Sequence, residues 1–180
     1  MTSLAAARPA RAAGPHPVRR VRRADAARMR ALRLEMLADS PLAFLETVAQ
    51  AAARPHAEFQ ARIARAAVGD DFAQFVAGPA QGRLVGHAGG TTWPEEPLTT
   101  VVFAVYVTPA CRGTGVLADL VEGVAAWSRS VGRPELLLEV VTGNDRAVRA
   151  YERLGFTDTG VRVPHPTVPA MTELHMRRRA

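Results

Sequence analysis

The sequence predicts one mixed α/β domain. The order of elements carries much of that expectation: strand, two helices, three strands, helix, strand, helix and two strands follow one another along 180 residues. Two runs carry the rest. Thr99–Val107 (TTVVFAVYV) and Glu135–Val141 (ELLLEVV) read as strands at the centre of a sheet. A chain of this length buries roughly 70% of its unfolded surface, enough for a real core.

The elements follow from local pattern. Residues 1–16 are rich in Ala, Arg, Pro and Gly without periodicity, and read as a disordered N-terminal extension to a single domain over 17–180. They lack the continuous apolar segment of a secretory signal, so a cytoplasmic protein is expected. Val18–Val21 suits a short strand. After Asp25, the residues Met29, Leu32, Met36 and Leu37 share one helical face until Ser40-Pro41 ends it. A second helix fits residues 55–67, with Phe59 and Ile63 four apart. Phe72–Ala77 and Leu84–Thr92 form a hairpin across Gly78-Pro79, the second strand weakened by Gly86, Gly89 and Gly90. Thr99–Val107 does not alternate, which predicts burial on both faces.

Gly115–Val131 places Val116, Leu120, Val121, Val124 and Trp127 on one helical face, and Pro134 separates it from the strand Glu135–Val141. A helix begins at Asn144 with Ala147, Val148, Tyr151 and Leu154 aligned, and Gly155 sits where a left-handed terminator belongs. Two late strands, 158–163 and 171–176, flank a loop holding Pro164, Pro166 and Pro169.

Charge excludes more than it suggests. The net +6 is carried by arginine alone, for there is no lysine among the 23 basic residues. Six arginines precede residue 24 and three close the chain. Between residues 24 and 176, 14 arginines face 17 acids. A nucleic-acid partner is therefore not expected, since its footprint is a basic stripe on the folded surface. No apolar run reaches 18 residues, so no membrane helix is expected. The lone Cys111 excludes an internal disulfide and a cysteine-rich zinc site, and no metal is expected.

Chemistry concentrates where the best strand meets a helix, in VYVTPACRGTGVL. Helix starts leave backbone N–H groups unpaired and carry partial positive charge. Gly113 and Gly115 let an anion approach, and Arg112 adds a full charge, which together suit a phosphate or pyrophosphate. A plain strand-to-helix turn would use the same glycines. The lysine-dependent phosphate loop is excluded outright, and GxGxxG is absent.

The segment Arg112-Gly113-Thr114-Gly115-Val116-Leu117 resembles the (R/Q)xxGx(G/A) signature of the GNAT superfamily of N-acetyltransferases, here with Leu117 at the position usually held by Gly or Ala. Val107-Thr108-Pro109 resembles that family's strand exit. Asn144-Asp145-Arg146-Ala147 and Tyr151-Glu152-Arg153-Leu154-Gly155-Phe156 resemble its N-x-x-A-x-x-x-Y-E-x-x-G-F motif, and RALRLEMLADSPLAFLET resembles an N-terminal pattern of bacterial members.

The resemblance implies the GNAT fold: a mostly antiparallel sheet with two splayed parallel central strands, flanked by helices. It implies acetyl-CoA as co-substrate. Backbone groups near Val105 and Val107 would pair with the pantetheine arm, the N–H groups from Gly113 through Thr114, Gly115 and Val116 to Leu117 would hold the pyrophosphate beside Arg112, and Asn144 would bond the pantetheine. Asn144 is equally suited to capping its helix. Tyr151 is the implied acid for the leaving thiolate, although it also sits on its helix's apolar face. The implied acceptor is a primary amine on a small molecule or a protein N-terminus, and a homodimer fits the family.

Acetyl transfer needs a base for the amine. Glu139, five residues before Asn144, matches a spacing resembling bacterial ribosomal-protein N-terminal acetyltransferases, in which that glutamate is the base. Lying between Leu138 and Val140, it is expected to have a raised pKa. Glu95 and Glu96 acting through water, and His87, are the other candidates. Cys111 beside Arg112 fits a low-pKa thiol or an incidental residue. Phe44, Glu46, His56 and His165 are candidate acceptor-lining groups. A non-catalytic acyl-CoA-binding module on the same fold is the alternative function.

Overall fold

The computed structural model describes residues 16–180, so the expected extension lies outside the described residues except for His16. Seven strands form one sheet in the order β1-β2-β3-β4-β5-β7-β6. These are β1 (Val18–Arg20), β2 (Phe72–Ala77), β3 (Gly86–Thr92), β4 (Thr99–Val107), β5 (Glu135–Val141), β6 (Thr157–Pro164) and β7 (Thr172–Arg179). Every neighbouring pair is antiparallel except β4 and β5, which run parallel.

Helices α1 (Ala26–Asp39) and α3 (His56–Val68) cover one face of the sheet's first half, burying Met29, Leu32, Met36 and Ile63 against Phe72, Val76 and Tyr106. Helix α4 (Val116–Ser130) covers the other face. Its stripe of Val116, Leu120, Val121, Val124 and Trp127 is buried against Phe75, Ala88, Leu136 and Leu138. Helix α5 (Asp145–Arg153) lies on that second face as well, with Ala147, Val148, Tyr151 and Leu154 half-buried.

The glycines of β3 are packing devices, not weak points. A Cβ on Gly89 would fall 2.2 Å from the ring of Phe103, and one on Gly90 would fall 2.7 Å from Trp127. Bare backbone here lets two large rings reach the sheet.

The short helix α2 (Val48–Ala53) adds to the expected order. It is held by a reciprocal cap: Thr47 Oγ1 accepts from Gln50 N at 3.2 Å, and Gln50 Oε1 accepts from Thr47 N at 2.8 Å. The strand expected from Leu84 begins at Gly86, and Gly115 is the cap preceding α4 rather than its first residue. Among the described residues, no helix is long and apolar enough to cross a membrane.

Two features open the sheet at its centre. Parallel pairing joins Thr99–Val102 to Glu135–Leu138 and then stops. Two residues later, at Ala104, β4 bulges. His87 pairs with Tyr106 and Gly89 with Phe103, so a single β3 residue faces both Ala104 and Val105. Ala104 has φ 49°, and its carbonyl oxygen lies 2.7 Å from His87 Nδ1. The bulge turns the last residues of β4 away from β5. The expected burial of β4 on both faces holds at its ends, while its middle is half-buried.

Candidate functional site

The gap between β4 and β5 is a cleft of about 490 Å³. Its walls come from the splayed residues Phe103–Val107 and Glu139–Val141, the turn before α4, one side of α5, and Ser40, Ala43 and Phe44 beyond α1. Of the residues singled out from the sequence, Val105, Val107, Arg112, Gly113, Gly115 and Leu117 line it at one end. Asn144, Tyr151 and Glu139 line it from β5 and α5. Thr114 and Val116 do not. Thr114 Oγ1 donates to the Cys111 carbonyl at 2.7 Å, and Val116 is wholly buried in the core.

The α4 end is built for an anion. Gly113 and Gly115 have φ 78° and 97°, a backbone shape that aims successive N–H groups outward. No side chain caps the helix, and nothing lies within 4 Å of where a Cβ on Gly113 would be. Leu117 packs half-buried against the core and forms cleft wall. Arg112 is already engaged: its guanidinium pairs with Asp39, its Nε donates to the Val107 carbonyl at 3.0 Å, and it lies over the Tyr106 ring. Arg146 and Arg153 also line the cleft and bring two further cations. The sequence patterns did not single out either of them, because both sit among the polar residues of α5.

Asn144 caps α5, its Oδ1 accepting from Ala147 N at 3.3 Å. Its amide still has two donors to offer. Tyr151 packs edge-on against Phe156 with centroids 5.8 Å apart. Burial pushes its phenol well above the ordinary value, so the hydroxyl keeps its proton at any physiological pH.

Glu139 departs from expectation. Leu138 and Val140 are buried on the face that α4 and α5 cover, whereas Glu139 points the opposite way with its side chain 42% exposed. Burial among apolar neighbours is therefore not its setting. Its Oε1 lies 3.1 Å from His175 Nε2, directly across the β5–β7 ladder.

The other candidate bases stand apart. Glu96 forms a two-pronged pair with Arg177, at 2.6 and 2.7 Å, that holds its carboxyl below the usual range, and Glu95 is exposed on the same loop. His87 is 2% exposed, and burial pushes it down to about 4, so it is a neutral structural imidazole. Cys111 lines the cleft, its Sγ 3.4 Å from His16 Nε2. Of the candidate acceptor-lining groups, Phe44 reaches the cleft, Glu46 is held by Arg33 and Arg54, and His56 is half-buried at the start of α3.

One carboxylate in the cleft was not foreseen. Glu173 on β7 is 9% exposed and lines the same opening. Burial, together with nearby Glu139, pushes its pKa above the ordinary value, while His165 and His175 pull the other way. Its only sequence signal is an isolated acid in the strand Met171–Met176. Among the described residues, no three His, Cys, Asp or Glu side chains gather as metal ligands would.

The model of the acetyltransferase (GNAT) family matches residues 34–156. Streptothricin acetyltransferase of Streptomyces lavendulae is 33% identical over 93 residues, covering 51% of this chain and 48% of that protein. The match thus spans about half the length of that relative. The structure of nourseothricin acetyltransferase superposes with a TM-score of 0.55 at 29% identity, covering 61% of this chain and 65% of that one. A phosphinothricin acetyltransferase from Sinorhizobium meliloti, solved with acetyl-CoA, superposes with a TM-score of 0.69 at 18% identity, covering 91% and 88%.

Proposed function

The chain belongs to the acetyltransferase (GNAT) family, and from that premise we propose that it moves an acetyl group from acetyl-CoA to a primary amine. The observation that carries this reading is the continuity of the cleft. It runs from the uncapped N-terminus of α4, suited to phosphates, through the β4–β5 gap to a pair of carboxylates suited to an ammonium group.

The residues present fit acetyl-CoA. The N–H groups of Gly113, Gly115 and Leu117 would hold the pyrophosphate, with Arg112 and Arg146 adding charge. Backbone groups of Val105 and Val107 are free of a β5 partner and would hold the pantetheine arm, with the Asn144 amide beside them. Acetyl-CoA supplies an activated acetyl thioester and a thiol leaving group.

This chain's part is proton handling and placement. The amine must lose a proton before it can attack. Glu139 and Glu173 face the acceptor half of the cleft, attract a cation and provide a proton acceptor. Tyr151 keeps its proton and donates a hydrogen bond to the leaving sulfur, and because the enclosure that raises the phenol also raises the thiol, the proton can pass to the thiolate. The acceptor is a primary amine on a small molecule or a protein N-terminus. The names of two similar proteins make streptothricin and nourseothricin the first acceptors to try.

Calorimetry with acetyl-CoA and with free CoA tests the first half of the reading, and thiol release with a panel of amines tests the second. Binding followed by amine-dependent thiol release is expected. Binding without turnover of any amine points to a non-catalytic acyl-CoA module, and no binding of either compound removes both readings.

A further inference from the structure

We infer that Glu173 is the group that takes the proton from the attacking ammonium, and that His165 is the residue that positions it. The inference rests on the acetyl-transfer reading above and assigns a residue to its proton step.

The geometry begins in the proline-rich loop between β6 and β7. His165 N donates to the Met171 carbonyl at 2.9 Å, which closes the loop on itself. The imidazole is folded inward, 3% exposed. Its Nδ1 accepts from the backbone N–H of Val168 at 3.1 Å and of Thr167 at 3.3 Å. A ring nitrogen that accepts has no proton, so in the neutral ring the proton resides on Nε2. That Nε2 is buried, has no hydrogen-bond partner, and lies 3.9 Å from Glu173 Oε1. A shift of about 1 Å makes it a hydrogen bond. A donor locked in one tautomer and spent on nothing else is therefore aimed at the one buried carboxylate in the cleft.

The surroundings separate Glu173 from Glu139. Glu139 sits opposite His175 and Glu173 opposite Val141, so the two carboxylates are diagonal neighbours on one face. Glu139 is open to solvent and held by His175, as an ion-binding group would be. Glu173 is enclosed, with Glu139 on β5, His175 on its own strand and His165 from the loop as the charged or titratable groups around it. Enclosure favours the neutral acid, which suits this carboxylate to accept a proton.

The step balances simply. Glu173, as carboxylate, takes one proton from R–NH3+ and becomes the neutral acid, leaving R–NH2. The amine's lone pair forms the C–N bond as the C–S bond breaks with its electron pair on sulfur. The amide nitrogen sheds its second proton, sulfur gains one, and Glu173 returns its own to water. One proton is released per turnover.

The test compares wild type, Glu173→Gln and His165→Asn in thiol release across pH, after calorimetry shows that each still binds acetyl-CoA. Glu173→Gln is expected to lose on the order of 10²-fold in kcat with an alkylamine, together with the acid-side rise of kcat/KM. With a hydrazine-type amine, already neutral at the assay pH, most of that loss should vanish. His165→Asn is expected to move the acid-side rise to higher pH with a smaller loss of rate, because His165 holds the carboxylate form down in pH. If Glu173→Gln keeps its rate and pH profile, or loses equally with both amines, the assignment falls while acetyl transfer stands. If wild type turns over no amine, the acetyl-transfer reading falls and takes this assignment with it. Should Glu173→Gln fail to bind acetyl-CoA, Glu173→Asp and the amine comparison decide by the same criteria.

Discussion

His87 Nδ1 lies 2.7 Å from the carbonyl oxygen of Ala104, the residue at which β4 bulges out of register. A neutral imidazole can donate from Nδ1 and hold that carbonyl at the irregular step of the ladder. His87 is therefore a structural element of the opening between β4 and β5 rather than a catalytic group.

This role makes stability depend on pH. Burial, with Arg33 and Arg62 nearby, holds folded His87 down at about 4, against 6.5 in an unfolded chain. The unfolded state then binds the proton that the folded state refuses. The contribution is fully present above pH 6.5 and is lost progressively as pH falls toward 4. The loss amounts to roughly 3 kcal/mol at about 1.4 kcal/mol per pKa unit. Urea unfolding should show that fall in wild type, and a flatter profile in His87→Asn over the same window. Equal slopes in the two proteins reject the assignment.

Tyr151 gives the second prediction. Its hydroxyl is kept protonated by burial, and its ring packs on Phe156. Phenylalanine preserves the packing and deletes only the proton. Tyr151→Phe should slow turnover on the order of 10²-fold and leave acetyl-CoA affinity within about twofold. Calorimetry and thiol release on one preparation separate the two. Unchanged turnover removes Tyr151 as the acid.

The fold was legible wherever a run of side chains reports its own environment. TTVVFAVYV is strand from Thr99 to Val107, and the α4 stripe is buried as its spacing implies. What escaped depends on contacts between distant segments. The bulge at Ala104 needs His87 from another strand. The burial of Glu173 needs a loop that folds His165 back over it. The exposure of Glu139 is hidden in the sequence, because its chain neighbours Leu138 and Val140 face the other side of the sheet. Helix α2 is short and lacks an apolar stripe, yet Thr47 and Gln50 carry the capping-box spacing that marks its start.

Glu139 supplies the third prediction. Its carboxylate is 42% exposed and fixed by His175 at 3.1 Å. A carboxylate so placed is open to an incoming ammonium ion. Glu139→Gln should therefore raise KM for a cationic amine about tenfold while kcat changes less, and neutral amines should be little affected. A large loss in kcat with unchanged KM, accompanied by loss of the acid-side rise, returns the base to Glu139.

Arg112 carries the last prediction. The cation expected beside a pyrophosphate is held by Asp39 at the end of α1, so an incoming anion competes with a carboxylate already in place. Both side chains are partly exposed, and a pair of this kind is worth only about 0–1 kcal/mol. A charge-assisted hydrogen bond to phosphate is worth roughly 1.5–3 kcal/mol, so the anion wins Arg112. Arg112→Ala should then weaken CoA binding by about tenfold or more, with a shallower salt dependence. Asp39→Asn should act oppositely, tightening CoA by about two- to fivefold, since it removes the carboxylate that competes for Arg112. The double variant should bind like Arg112→Ala alone, because Asp39 acts through that guanidinium. If Asp39→Asn weakens CoA binding instead, the pair holds the strand exit in shape, and Arg112 serves the fold before it serves the anion.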